Sequence, residues 1–194
     1  MGCDIHTYKE KFVDGKWLTA DEWEPYDYGE GDAGESIPYK KQAYSDRNYN
    51  LFGLLAGVRN REGTLTLTPR GTPFDVSPKV QAAFERWGPD GHSHSYLYLH
   101  ELRALRAVVR ERTIPVSGMK RQEEVAALES SIASGKPNYD LLYPYCQWTT
   151  DKSQVEFRIE LPMDFMVGRC LDKIIASFDG IDGDNHRLVF WFDN

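Results

Sequence analysis

The 194-residue chain offers little sulfur chemistry: three cysteines, at positions 3, 146 and 170, with no C-x-x-C pair among them. An odd, scattered set of this kind builds neither a disulfide framework nor a zinc knuckle and fits a reducing compartment. Long apolar runs are also missing, so no membrane span is expected. Asp4, His6 and Lys9 break up the opening segment, which therefore does not read as a secretory or transit signal. No Walker loop, Rossmann glycine fingerprint or G-x-S-x-G elbow is present. Positive charge is in deficit, with 23 Lys and Arg against 30 Asp and Glu and a net charge of −7, which argues against duplex nucleic acid or an anionic membrane as default partner. What remains, 41% hydrophobic and 27% charged, suits one soluble globular unit with its own core.

Period-two alternation over residues 3–13, then Asp14-Gly15 and KWLTA, predicts an N-terminal β-hairpin with a type I′ turn. Residues 21–46 hold Pro25, Gly29, Gly31, Gly34, Pro38 and a cluster of acids over 27–35, the composition of a long irregular excursion: a lid, a binding loop or a disordered insert. Asp46 is placed to cap a helix carrying Leu51, Leu54, Leu55 and Val58 on one face. Ser77 and Pro78 open a second helix, with Val80, Ala83, Phe84 and Trp87 on its stripe and Gly88-Pro89 as its stop. Residues 91–95, GHSHS, read as a polar turn leading into a helix that bears Leu99, Leu102 and Leu105. Further helices are expected over 120–134 and 163–178, a half-buried strand over SQVEFRIEL, and a central strand at RLVFWFDN. Strands at both ends with helices between them give an α+β class. The expected architecture is a single domain over 1–194 in which an antiparallel sheet, built from the N-terminal hairpin and C-terminal strands, packs against the helices. The acidic loop 21–46 and an insertion over 110–151 interrupt it.

Three constellations carry chemistry. Asp4 and His6 are two apart on a strand and share a face, a geometry suited to a metal ligand pair or to acid/base work, or merely to a solvated edge. Gly91-His92-Ser93-His94-Ser95 sets imidazoles and hydroxyls in a turn ahead of a helix, suited to a metal or a phosphate oxygen, or simply to a polar turn. Arg47, Asn48 and Tyr49, with Arg70 further on, offer guanidinium forks for an anion, the plain alternative being a salt bridge to the acidic loop. From these we expect catalytic roles for Asp4, Arg47 and His92, and substrate contacts from Arg47, Asn48, Tyr49, Arg70, Ser93 and Ser95. A divalent ion would sit on Asp4, His6 and His92. Mixed nitrogen and oxygen ligands without thiolate suit zinc, manganese or iron. Cys3 and His6 point to opposite faces of a strand and make no Cys/His pair.

The blocks MGCDIH, DRNYNLFGLLAGVRN, PRGTPFDVSP, DGHSHSYLYLHEL and RLVFWFDN, in this order, resemble a family of uncharacterised bacteriophage and prophage proteins. The resemblance implies no particular reaction. It marks Asp4, His6, Arg47, Asn48, Tyr49, Arg70, Gly71, Gly91, His92, Ser93 and Ser95 as one polar site, and it places the protein in the cytoplasm of an infected bacterial host. The region 110–151 departs from it. The leading expectation is a metal-assisted hydrolase of a phosphorylated or nucleotide-like small molecule, in which the ion lowers the pKa of a bound water. The alternative is a non-catalytic accessory or counter-defence protein that sequesters a host nucleotide signal. A variant of it occupies a host protein through the 27–35 loop and Trp23, Tyr26 and Tyr28. A small assembly component of the virion is the third reading.

Overall fold

Asp14 and Gly15 have φ values of 50° and 79°, the left-handed pair that a type I′ turn requires, and they fold β1 (Asp4–Val13) back on β2 (Lys16–Thr19). The computed structural model describes residues 2–29, 33–60, 65–136, 138, 153–178 and 184–193. Cys146, the aromatic stretch 139–148 and residues 181–183 lie outside them. β8 (His186–Asp193) pairs antiparallel with β1, from Asp4 opposite Asp193 to Lys11 opposite His186. Its other edge takes β5 (His92–Tyr98), giving the order β2-β1-β8-β5. The chain is therefore α+β, with both ends meeting in one antiparallel sheet.

β8 is buried from Arg187 to Phe192 and sorts its side chains between two layers. Leu188, Phe190 and Phe192 face the main core, with Ile5, Leu97 and the apolar sides of α1 (Tyr49–Ala56), α3 (Leu99–Arg110) and α5 (Arg169–Ala176). Val189 and Trp191 face the other way, against Val80 and Ala83 of α2 (Pro78–Trp87), with Tyr8, Trp23, Phe84 and Trp87 around them. No helix among the described residues is long and apolar enough to cross a membrane.

Several elements differ from the sequence expectation. The GHSHS segment is strand, not turn: Tyr96, Leu97 and Tyr98 favour extended backbone and β8 has an open edge to receive them. An irregularity in the pairing between His92 and Ser95, with Ser93 at φ 52°, absorbs one extra residue as a bulge. The N-cap of α1 is Asn48, whose side chain accepts from the Leu51 N–H at 3.0 Å, because Asp46 pairs with Lys173 at 2.9 Å. The acidic excursion is not wholly irregular: β3 (Glu24–Asp27) pairs with β4 (Ala33–Ser36). Within 110–151 the described part contains β6 (Thr113–Arg121) and α4 (Gln122–Ala133), and β6 pairs with β7 (Gln154–Pro162). Pro115 and Gly118 mask β6 in the sequence, and the two-stranded ribbon tolerates a proline because each strand has a free edge.

One buried network locks the sheet to α2. Arg187, 1% exposed, donates from Nε to Glu10 Oε2 at 2.7 Å and from Nη1 to Asp75 Oδ1 at 2.8 Å, and lies 3.9 Å over the Trp17 ring. Glu10 also accepts from the Ser77 N–H at 2.6 Å, at the start of α2. Removing one partner strands a buried charge. Arg187→Leu is expected to cost about 3–5 kcal/mol in urea denaturation, whereas Arg47→Ala, at an exposed ion pair, leaves the midpoint nearly unchanged.

Asp21 stands at the turn after β2 with its carboxylate buried, accepting from the Lys9 N–H at 2.6 Å. Burial pushes its pKa up to about 6, so it contributes most to stability when protonated and that contribution is lost as pH rises through about 6. Asp21→Asn should therefore raise the melting temperature more at about pH 8 than at about pH 5. An equal effect at both would contradict the buried-carboxylate argument.

Candidate active site

Strand register decides where the expected site residues go. His92 is opposite Phe192, which is opposite Ile5, while His6 is opposite Trp191 on the next rung. The two segments thus meet at the same end of one sheet, as the sequence suggested, but on opposite faces. His92 lies along Phe192 at 6.2 Å, and Phe192 meets Phe52 of α1 at 5.0 Å in the main core. His6 lies 4.1 Å from Trp87 and 6.0 Å from Trp191 on the α2 side. Asp4 is held by Arg47, which donates from Nε at 2.5 Å and from Nη2 at 2.7 Å. Asp4, His6 and His92 therefore do not converge. Among the described residues no three His, Cys, Asp or Glu side chains come together in a group fit for a metal ion.

Most of the expected substrate contacts are committed inside the fold. Asn48 caps α1 and donates to the Met166 carbonyl at 3.0 Å. Ser95 is buried and accepts from the Arg70 N–H at 3.2 Å. Arg70 forms a fork with Glu101 at 2.7 and 2.8 Å and lies over the Tyr96 ring. Ser93 Oγ is 3.0 Å from His92 Nδ1. Tyr49 is exposed, lies 5.7 Å from Phe52 and has Arg59 over its ring. Arg70 and the histidine segment are neighbours, since the Gly71 N–H also donates to the His94 carbonyl at 2.9 Å.

On the α2 face there is a cavity of about 280 Å³, and only His6 of the expected residues lines it. Its floor is His6 and Tyr8 of β1. Ala83, Arg86 and Trp87 of α2 form one wall, and Trp23, Glu35, Ser36, Ile37 and Gln42 from the 21–46 excursion form the rest. The excursion is drawn over α2 by Lys79, which pairs with Glu35 at 2.7 Å and lies 5.5 Å from the Trp23 ring, and by Arg86, 5.3 Å over the Tyr26 ring. Trp23 turns inward onto Tyr8 at 5.8 Å, leaving Tyr28, 79% exposed, as the outward aromatic of the expected docking patch. Arg86 differs from Arg47, Arg70, Arg106 and Arg187, each of which meets a carboxylate, in having no ion pair or hydrogen bond among the described residues.

Sequence reasoning missed Asp193. Its Oδ2 is 3.3 Å from His6 Nε2, and its Oδ1 accepts from the Asp4 N–H at 3.0 Å. Only the β1–β8 register reveals this pair, though the terminal FD run gave a carboxylate at strand spacing to look for. His6 Nδ1 makes no hydrogen bond among the described residues and, unlike Nε2 of His92 and of His94, is not sealed from solvent. Burial lowers the pKa of His6 below the usual imidazole value, with Asp193 and then Asp4 opposing it, and burial pushes the Tyr8 phenol up.

His94 is also lowered, by burial and then by His92, and packs edge-on against Phe84 at 4.7 Å. A depressed histidine supports the fold while neutral. Its contribution is complete above about pH 6.5 and is lost as pH falls through the lowered folded-state value. His94→Asn should therefore lose less stability than wild type between about pH 7.5 and pH 5, as read from melting temperatures. Parallel losses would show that His94 does not titrate with folding.

No family model, no curated protein and no solved structure matches the chain.

Proposed function

We propose that the protein binds a small, ring-bearing phosphorylated ligand of the nucleotide kind in the cavity beside His6. The observation that carries this reading is Arg86, a guanidinium without a carboxylate partner among the described residues, on the wall of an aromatic cavity in a chain of net charge −7. Glu35, the acid among the lining residues, is paired with Lys79 at 2.7 Å. A planar fork of N–H donors suits phosphate in two-point contact, and the aromatic lining of Trp23, Trp87, Tyr8 and His6 suits a ring-bearing ligand, base–aromatic contact being worth about 1–3 kcal/mol per base. The volume, at the small end of ligand pockets, suits one mononucleotide and not a dinucleotide. In the setting that the phage resemblance implies, such a protein would draw a host nucleotide signal out of solution.

A metal-assisted hydrolase on Asp4, His6 and His92 is the weaker reading. It needs three ligands around one ion, while the sheet separates His92 from the other two and Arg47 occupies the Asp4 carboxylate on both oxygens.

Calorimetric titration with AMP tests the cavity reading. Arg86→Gln should weaken binding about tenfold or more, the loss of one charge-assisted contact, and Ala83→Leu, which fills the space beneath the ring, should abolish it. Unchanged affinity in both variants would remove the cavity as the binding site.

A further inference from the structure

We propose that His6 is a general base in this cavity, oriented by Asp193, and that the bound phosphoester is hydrolysed without a metal ion. The inference rests on the cavity being the ligand site and adds turnover to it.

Three observations converge. His6 Nε2 faces Asp193 Oδ2 at 3.3 Å, which favours the tautomer with Nε2–H donating and Nδ1 carrying the free lone pair. Asp193 is itself fixed, because its other oxygen takes the Asp4 N–H at 3.0 Å. His6 lines the cavity that Arg86 also lines, its side chain is 17% exposed, and its Nδ1 makes no hydrogen bond among the described residues. A base oriented by a carboxylate and opening on an anion-binding wall is the arrangement that general base catalysis requires. Burial keeps the imidazole neutral near pH 7, ready to accept a proton.

Nδ1 of His6 takes a proton from a water molecule as the water oxygen bonds to phosphorus. The bond from phosphorus to the leaving oxygen breaks in line with the attack, on the side away from His6; its electron pair stays on that oxygen, which takes a proton from solvent, and the imidazolium gives its proton back to solvent. Ester and water give phosphate and alcohol, and His6 ends neutral. Arg86 holds the non-bridging oxygens, on which negative charge gathers. The charged and titratable groups around His6 are Asp4 and Tyr8 on its own strand, Asp193 on β8, Arg86 on α2 and Glu35 on β4.

The test uses the full chain with excess chelator and two probes: p-nitrophenyl phosphate for turnover and phenylphosphonate, which cannot be hydrolysed, for binding. Wild type should release p-nitrophenolate, and kcat/KM should fall on the acid side as His6 takes up a proton. His6→Gln should lower kcat at least about a hundredfold with phenylphosphonate affinity kept. Asp193→Asn should lower kcat and move the acid limb to lower pH, a displacement that a merely structural role would not produce. His92→Gln, on the far face, should keep the wild-type rate, and melting temperatures report whether each variant is folded. If phenylphosphonate binds but no p-nitrophenolate appears, or if folded His6→Gln retains the rate, the catalytic inference falls and the binding reading stands. If phenylphosphonate does not bind wild type, both fall.

Discussion

The antiparallel pairing of β1 with β8 is the constraint on which the rest of the molecule depends. It joins segments at opposite ends of the sequence, so its closure entropy must be offset by what the sheet then buries. Two kinds of contact do this. On one face Leu188, Phe190 and Phe192 enter the main apolar core. On the other, Glu10 and Arg187, opposite each other in the register, form a buried ion pair with further partners at Asp75 and Ser77. An ion pair this deep is a weak source of net stability but a strong penalty on misregister, because a shift by one residue would put the two charges on opposite faces and leave each buried without its partner. The same register sets His6 against Asp193. The candidate chemistry and the closure of the fold are thus consequences of one alignment.

The two faces are unlike, and that explains where a cavity can form. The face toward α1, α3 and α5 is packed with buried aliphatic and phenyl side chains. Among the described residues the opposite face is covered by the ten residues of α2, by Asp75 and Val76 just before it and by the 21–46 excursion. Large flat rings there, Tyr8, Trp23, Trp87 and Trp191, stack and tilt on one another instead of interdigitating. Ala83 puts a methyl group where the rest of the helix stripe is bulky, and the space remains. Polar groups at this boundary, among them Arg86, Gln42 and Ser36, arrive from segments held by surface ion pairs and cation–π contacts.

Local chemistry was legible in the sequence wherever it determines structure by itself. Asp14-Gly15 dictates its turn, Ser77-Pro78 its helix start, and the apolar run of β8 its central place. Legibility failed where an open sheet edge overrode local preference, as for residues 92–95, or where Pro115 and Gly118 disguised a strand. For the site, His6 was readable from its spacing to Asp4, yet its working neighbours were not. Asp193 reaches it through the register, and Trp87, Arg86 and Trp23 through the way α2 and the excursion lie across the sheet. His92 was grouped with His6 because both stand in conspicuous polar motifs. Which face each takes depends on alignment across β8 and on the irregularity at Ser93, and neither is written in local sequence.

The contrast among the three histidines at this end of the sheet bears on the role proposed for His6. A base must accept a proton from a reactant and exchange it with bulk water, so one ring nitrogen has to be both free and reachable. His92 spends Nδ1 on Ser93 and has Nε2 sealed, and His94 has Nε2 sealed beside Trp191. Protonating a sealed nitrogen buries a charge without a partner, which the fold resists. His6 meets two opposing influences: burial against Trp87 disfavours the imidazolium, while Asp193 and Asp4 favour it. Burial prevails, which leaves the ring neutral in the range where a base must be neutral to act, while the carboxylates restrain the shift so that a proton can still be held during turnover.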